Sequence, residues 1–130
     1  MKTQDTFSFA QTHEWASLES DALVWVGISN HAQEALGDVT FFQAPKLGQL
    51  VQQGEVVAAI ESVKAASDIH APISGEIVAL NSTMDNTPEL VNAEPYTTWL
   101  FKIKPASQEV LTSEFERLMS LEQYNSGADA

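Results

Sequence analysis

The stretch ESVKAASDIH, residues 61–70, sets a single lysine, Lys64, among small and β-branched neighbours: Val63, Ala65 and Ala66. Cations are scarce here, with 6 basic side chains against 18 acidic ones. A lysine amine is a nucleophilic nitrogen on a four-carbon stem, so acylating it makes a long projecting arm. The chemistry Lys64 offers is therefore attachment of a group that the ribosome does not supply. The competing reading is an unmodified surface lysine at a turn. An attachment lysine must reach a modifying enzyme and then further active sites. A tight turn between paired strands fixes its Cα and leaves the side chain exposed. The small Ala65 and Ala66 leave room for an enzyme to close over it. Tethering raises the effective concentration of the attached group near each docked enzyme, and the cofactor supplies the hard chemistry.

The elements that must hold such a turn can be read on both sides of it. A weak internal repeat flanks Lys64: GEVVAAI starts at Gly54 and GEIVAL at Gly75, so Lys64 falls ten residues after one glycine and eleven before the other. This pattern predicts a quasi-symmetric hairpin with Lys64 at its tip. Apolar runs predict strands over 21–29, 39–45, 56–63, 68–80 (broken by Pro72 and Gly75) and 97–104. In the last, Trp99, Phe101 and Ile103 alternate onto one face. Ser29 or Asn30 can cap a short helix that Gly37 closes in the left-handed conformation. Gly48 and Gly54 suit turns. Thr87 and Pro88 predict a one-turn helix in NTPEL. A C-terminal helix is expected over about 112–124. Ser113 and Glu116 would form its capping box, and Phe115, Leu118 and Met119 its apolar stripe. The final NSGADA is expected to be disordered. Trp15, Trp25 and Trp99 are simplest as core residues, and His13 and His70 as structural ones.

Composition narrows the function. At 130 residues with 44% hydrophobic side chains the chain suits one domain with a real core. The formal net charge of −12 argues against nucleic acid and against an anionic membrane. It suits encounter with basic partner surfaces. Cys is absent, which excludes disulfides, thiolate metal sites and cysteine nucleophiles. No apolar run approaches the roughly 20 residues of a spanning helix. The start, MKTQDTFSFA, resembles neither a signal nor a transit peptide. A cytoplasmic, bacterial-type protein or a mature organellar form is expected. His31, Glu34 and Asp38 have metal-like spacing but no third strong ligand, so no metal is expected.

Taken together, ESVKAASDIHAPISGEIVALN, HEW (13–15), VGISNHAQEALGDV (26–39), PELVNAEPY (88–96) and WLFKIK (99–104) resemble, in the same order, the segments of the glycine cleavage H-protein family. The resemblance covers roughly residues 13–104, with a looser match beyond. It implies a mainly β barrel-sandwich hybrid with short peripheral helices. It implies lipoate in amide linkage on Lys64, with Glu61 and Gly75 read by the attaching ligase or octanoyltransferase. It also implies a non-catalytic shuttle. The aminomethyl group of glycine would pass from a pyridoxal-phosphate glycine decarboxylase to the lipoyl arm, then to an aminomethyltransferase. Dihydrolipoyl dehydrogenase would reoxidise the arm. Glu14 and His31 would lie near a groove that shelters the loaded arm, where a carboxylate can bond its cationic amine.

Gln43 and Ala44 depart from the family's usual acid, leucine and proline, and the Thr97-Thr98 link lacks the usual glycine. The alternative reading is a divergent lipoyl-relay donor to other complexes. A biotin carrier would usually have methionines where Val63 and Ala65 stand. A stand-alone enzyme would need a nucleophile–base set or phosphate-cradling loop that the chain lacks.

Overall fold

The computed structural model describes residues 1–127. All strand pairs are antiparallel and form two sheets. The larger combines β1 (Ser8–Phe9), β2 (Glu14–Leu18), β3 (Val24–Ile28), β5 (Leu50–Val51), β8 (Gly75–Leu80), β9 (Phe101–Pro105) and β10 (Met119–Ser120) in the order β10-β1-β2-β3-β9-β8-β5. The smaller is β4 (Val39–Gln43), β6 (Val56–Ser62) and β7 (Ala66–His70), with β6 central. Their inner faces share one core. Ala16, Val26, Ile77 and Ile103 from the large sheet join Phe42, Ile60 and Ile69 from the small one. This is the mainly β sandwich that the resemblance implies.

A second core lies on the other face of the large sheet. Trp15 is fully buried there, stacked on Phe7 at 4.4 Å, while Phe9 stacks on Tyr124 at 4.7 Å. Trp15 pairs across strands with Gly27, where a Cβ would sit 2.4 Å from the indole. The indole N–H donates to the Pro95 carbonyl at 2.9 Å. Trp25 and Trp99 are only half-buried. They flank Lys102, whose Nζ lies 3.8 and 4.5 Å from their ring centroids, a cation–π arrangement. Trp99 thus leaves the core face that Phe101 and Ile103 occupy.

Helix α1 (Asn30–Leu36) follows the expected chemistry. Ser29 Oγ accepts from Ala32 N at its start, and Gly37 closes it at φ 79°. The ψ of −157° there is an extended mirror-image conformation rather than the left-handed helical one, and it too favours glycine. Gly48 and Gly54 turn at φ 84° and 88°.

The segment 68–80 differs from its reading as one broken strand. β7 and β8 belong to different sheets, and Ala71, Pro72 and Ile73 cross between them fully buried. Buried backbone must find partners; Ala71 bonds the main chain of Gly54 and Glu55, and two polar side chains serve the rest. Glu114 accepts from Ser74 N at 2.7 Å and from Ser74 Oγ at 2.5 Å. Gln53 Nε2 donates to the carbonyls of Pro72 and Glu114, each at 3.0 Å. The hairpin that carries Lys64 is therefore β6–β7. The second repeat unit, GEIVAL, is β8 in the other sheet.

The remaining helices also correct the sequence reading. Thr87 ends α2 (Thr83–Asn86), and α3 (Leu90–Ala93) begins after Glu89. The expected C-terminal helix is two helices, α4 (Gln108–Phe115) and α5 (Leu121–Gly127), separated by β10. Ser107, not Ser113, caps α4, accepting from Val110 N. The apolar stripe divides: Phe115 and Leu118 pack on the main core, Met119 on the second. Asn125, Ser126 and Gly127 are helical; the rest of the expected disordered tail lies outside the described residues. The glycine-free Thr97-Thr98 link closes through both N–H groups donating to the Glu94 carbonyl. Among the described residues no helix is long and apolar enough to cross a membrane.

Gly75 starts β8 with no room to spare. A Cβ there would lie 2.1 Å from the Lys104 carbonyl oxygen and 2.7 Å from Ile103 Cγ2. Relieving it means prising β8 from β9. Gly75→Ala is expected to cost about 3 kcal/mol, in the upper range for overpacking, measured as a fall in the urea unfolding midpoint.

Candidate functional site

The tip of the β6–β7 hairpin is a two-residue loop, Val63-Lys64, between Ser62 and Ala65. Neither loop residue has positive φ, so this is not the glycine-dependent primed turn. Local bonds hold it instead. Ser62 N donates to the Ala65 carbonyl at 2.8 Å, and Ser62 Oγ accepts from Ala65 N at 3.1 Å. Val63 N donates to the Asp38 carbonyl at 3.1 Å. Lys64 is exposed, and among the described residues it pairs with no carboxylate. Its stem leans on the end of α1: a Cβ at Gly37 would lie 3.1 Å from Lys64 Cε and 3.6 Å from Nζ.

A groove of about 290 Å³ opens between β7 and α1. Ala65–Ile69 form one wall and His31, Ala32, Ala35 and Leu36 the other, over Ile28 and Ile60. Thr12, His13 and Glu14 close one end. The structure thus brings Glu14 and His31 into one cavity beside the hairpin. A larger cleft of about 680 Å³ opens beside β5, β8 and the start of α4, but neither the hairpin tip nor any buried titratable side chain lines it.

Glu14 is 1% exposed. Thr12 Oγ1 donates to Oε1. At Oε2 two groups of His70 converge, the backbone N at 2.8 Å and Nδ1 at 3.2 Å. Burial pushes the Glu14 carboxyl above its usual range, and the bonds from Thr12 and His70 oppose that push more weakly. His13, at φ 81°, sits 4.7 Å from the His31 ring and 2.6 Å, through Nδ1, from the Tyr124 hydroxyl. Burial, and then the charge of His31, hold His13 below its ordinary value. The Tyr124 hydroxyl thus bridges His13 Nδ1 and, at 2.7 Å, Ser29 Oγ, with one hydrogen to give and a lone pair to accept. Burial likewise holds Tyr124 in its neutral, donating form.

Glu61 is exposed on β6, one residue before Ser62, and pairs with Ala66 of β7. Gly75 is buried in the other sheet, where packing alone requires a glycine. The sequence reading left His13 and His70 without partners, and passed over Thr12 and Tyr124. One signal was present for His70: its two-residue offset from Asp68 puts both on the same face of β7. Its partner, Glu14, is 56 residues away, beyond any local pattern.

The His13 cluster gives a pH dependence. A histidine held low in the fold favours folding above its ordinary value of 6.5. That contribution is lost as pH falls through the folded value. Urea midpoints are expected to fall between pH 7 and 5 in the parent chain and to flatten in His13→Asn, which tolerates positive φ. The difference between the two curves isolates His13 from Glu14, whose raised carboxyl acts with the opposite sign.

Comparison with known proteins bears on the family and the fold. The family model described as glycine cleavage H-protein matches residues 7–129. A glycine cleavage system H protein of Polynucleobacter necessarius is 76% identical over 103 residues, covering 79% of this chain and 69% of its own. One from Paraburkholderia xenovorans is 51% identical over 122 residues, 94% of each chain. A crystal structure of a glycine cleavage system H protein from Mycobacterium marinum superposes with a TM-score of 0.82 at 31% identity, covering 97% of this chain and 98% of that one. With that sequence match across nearly its whole length, and the same fold, the chain belongs to the glycine cleavage H-protein family.

Proposed function

We propose that this chain carries lipoate in amide linkage on Lys64. It presents the group in turn to glycine decarboxylase, the aminomethyltransferase and dihydrolipoyl dehydrogenase. As a member of its family the chain is a lipoyl carrier component of the glycine cleavage system, not an enzyme. The observation that carries the attachment reading is Lys64 itself: exposed, unpaired with any described carboxylate, and fixed at a hairpin tip beside a groove.

The residues present fit the group. Along the groove, Ile28, Ala32, Ala35, Leu36, Ile60 and Ile69 match an aliphatic chain, and Thr12, Glu14, His31 and Asp68 offer polar contacts. When bound, lipoate supplies the dithiol–disulfide pair that takes up and gives up the aminomethyl group. The chain's own residues place and shelter it. The Ser62 turn holds the tip, and the α1 and β7 walls exclude water. An ionised carboxylate offers about four acceptor sites. Thr12 and His70 occupy three at Glu14, leaving one for an arm's ammonium. His31 borders the same cavity and adds a polar contact there. Glu61 is exposed for an attaching ligase or octanoyltransferase to read. Gly75 acts on that enzyme only by keeping the strands in place. A cytoplasmic carrier is part of this proposal, and the bacterial origin of the relatives supports it.

Intact mass and peptide mapping after incubation with lipoate and its ligase test this reading. A lipoyl increment is expected on Lys64 and none on Lys64→Ala. An unmodified parent chain would remove the mechanism. Glu61→Ala is expected to slow attachment without lowering the urea midpoint, because Glu61 is exposed and its side chain makes no hydrogen bond within the described residues.

A further inference from the structure

The reading above, on which this inference rests, leaves the pair at the closed end of the groove unexplained. We propose that His70 is a positioning residue for Glu14, holding its carboxylate so that one acceptor site faces the groove. His70 ends β7, the strand that descends from Lys64, six residues or roughly 20 Å along the chain. Glu14 opens β2 in the other sheet. The two bonds from His70 to Oε2, at 2.8 and 3.2 Å, therefore join the hairpin to the large sheet. Facing an ionised carboxylate, Nδ1 carries the hydrogen, which fixes the tautomer and leaves Nε2 turned away.

Two donors on one oxygen and Thr12 on the other remove the rotational freedom of a carboxylate at 1% exposure. Without the imidazole, Glu14 keeps the main-chain N–H but loses its only histidine side-chain donor. A buried carboxylate with one fewer donor takes up a proton more readily. A protonated Glu14 presents no charge to an ammonium. The other titratable groups bordering this end are Asp68 on β7, His13 in the loop before β2 and His31 on α1, with Tyr124 of α5 behind His13. None of them bonds the Glu14 carboxylate, so none substitutes for His70.

The first test uses the chain without lipoate. Carboxyl ¹³C NMR follows the titration of Glu14 in the parent, His70→Ala and His70→Asn. The Asn Nδ2 takes the place of the imidazole Nδ1. His70→Ala is expected to raise the Glu14 midpoint by about one pH unit, a tenfold change in its protonation equilibrium, and His70→Asn to restore it. An unchanged midpoint in His70→Ala overturns the proposal. The second test follows ammonia release into water from the lipoylated, loaded protein, with Glu14→Gln alongside. Faster release in Glu14→Gln and in His70→Ala, but not in His70→Asn, supports it. Faster release in Glu14→Gln alone overturns it and leaves the groove reading standing. No change even in Glu14→Gln overturns the groove reading, and this inference with it.

Discussion

Glu14 is an acid buried between two sheets that share no backbone hydrogen bonds with each other. Moving an ionised carboxylate out of water costs several kcal/mol even after relaxation. Apolar packing around it supplies no compensation. Thr12 holds it from the loop before β2 and His70 from the end of β7, so the donors come from both sheets. Desolvation still dominates, since the carboxyl is held above its usual range. A core seeking stability alone would place an aliphatic side chain here. A carboxylate kept at this cost, beside a groove, is chemistry the fold has accommodated.

The rest of the architecture makes that placement possible. β7 must leave the small sheet at His70 and cross to β8 without losing its backbone bonds. The Gly54 and Glu55 backbone and the side chains of Glu114 and Gln53 satisfy that crossing. The second core performs the matching task at the start of β2. There Trp15 packs over Gly27, and Tyr124 of α5 reaches both His13 and Ser29. Two helices near the C-terminus thus brace the segments flanking the site: α4 bonds the β7–β8 crossing at Ser74, and α5 holds His13 before β2 and Ser29 after β3. This explains why the C-terminal segment breaks where it does. A single continuous helix would brace one side only, whereas β10 pairs with β1 and carries α5 to the second core.

The sandwich and the hairpin were legible because their signals are local. The apolar runs of β3, β4 and β6 name their strands, Ser29 and Gly37 bracket α1, and the plain residues around Lys64 mark a turn. The errors arose where tertiary pairing overrode a local pattern. The glycine repeat pointed to a hairpin of GEVVAAI with GEIVAL, but Gly75 is fixed by the Lys104 backbone in the other sheet. Ser113 and Glu116 have capping-box spacing, yet Ser107 already caps the helix six residues earlier. Trp99 fits the alternation of Phe101 and Ile103, but it precedes β9 and packs half-buried on the second core beside Lys102. Glu14 and His31 were placed by resemblance, and the groove between them exists. The bonds of Glu14 to His70 and of His13 to Tyr124 span 56 and 111 residues, and no sequence period encodes such pairings.

A carrier faces a conflict that this geometry addresses under the proposed reading. Its arm must stay in the groove while loaded and leave it for each partner. An apolar groove alone would hold every state of the arm almost equally and so release none selectively. One free acceptor site on a buried carboxylate changes that balance. A hydrogen bond to a charged group is worth about 1.5–3 kcal/mol, which favours an arm bearing an ammonium by about tenfold to a hundredfold. An arm without that charge gains nothing there and leaves Glu14 desolvated. The same feature that burdens the fold thus lets the groove distinguish loaded from unloaded states. Under the same reading, the net charge of −12 would act at the other stage, since charge complementarity to a basic partner surface raises the rate of encounter more than it prolongs the contact. Retention and delivery then depend on different parts of the molecule, the buried Glu14 and the exposed acidic surface.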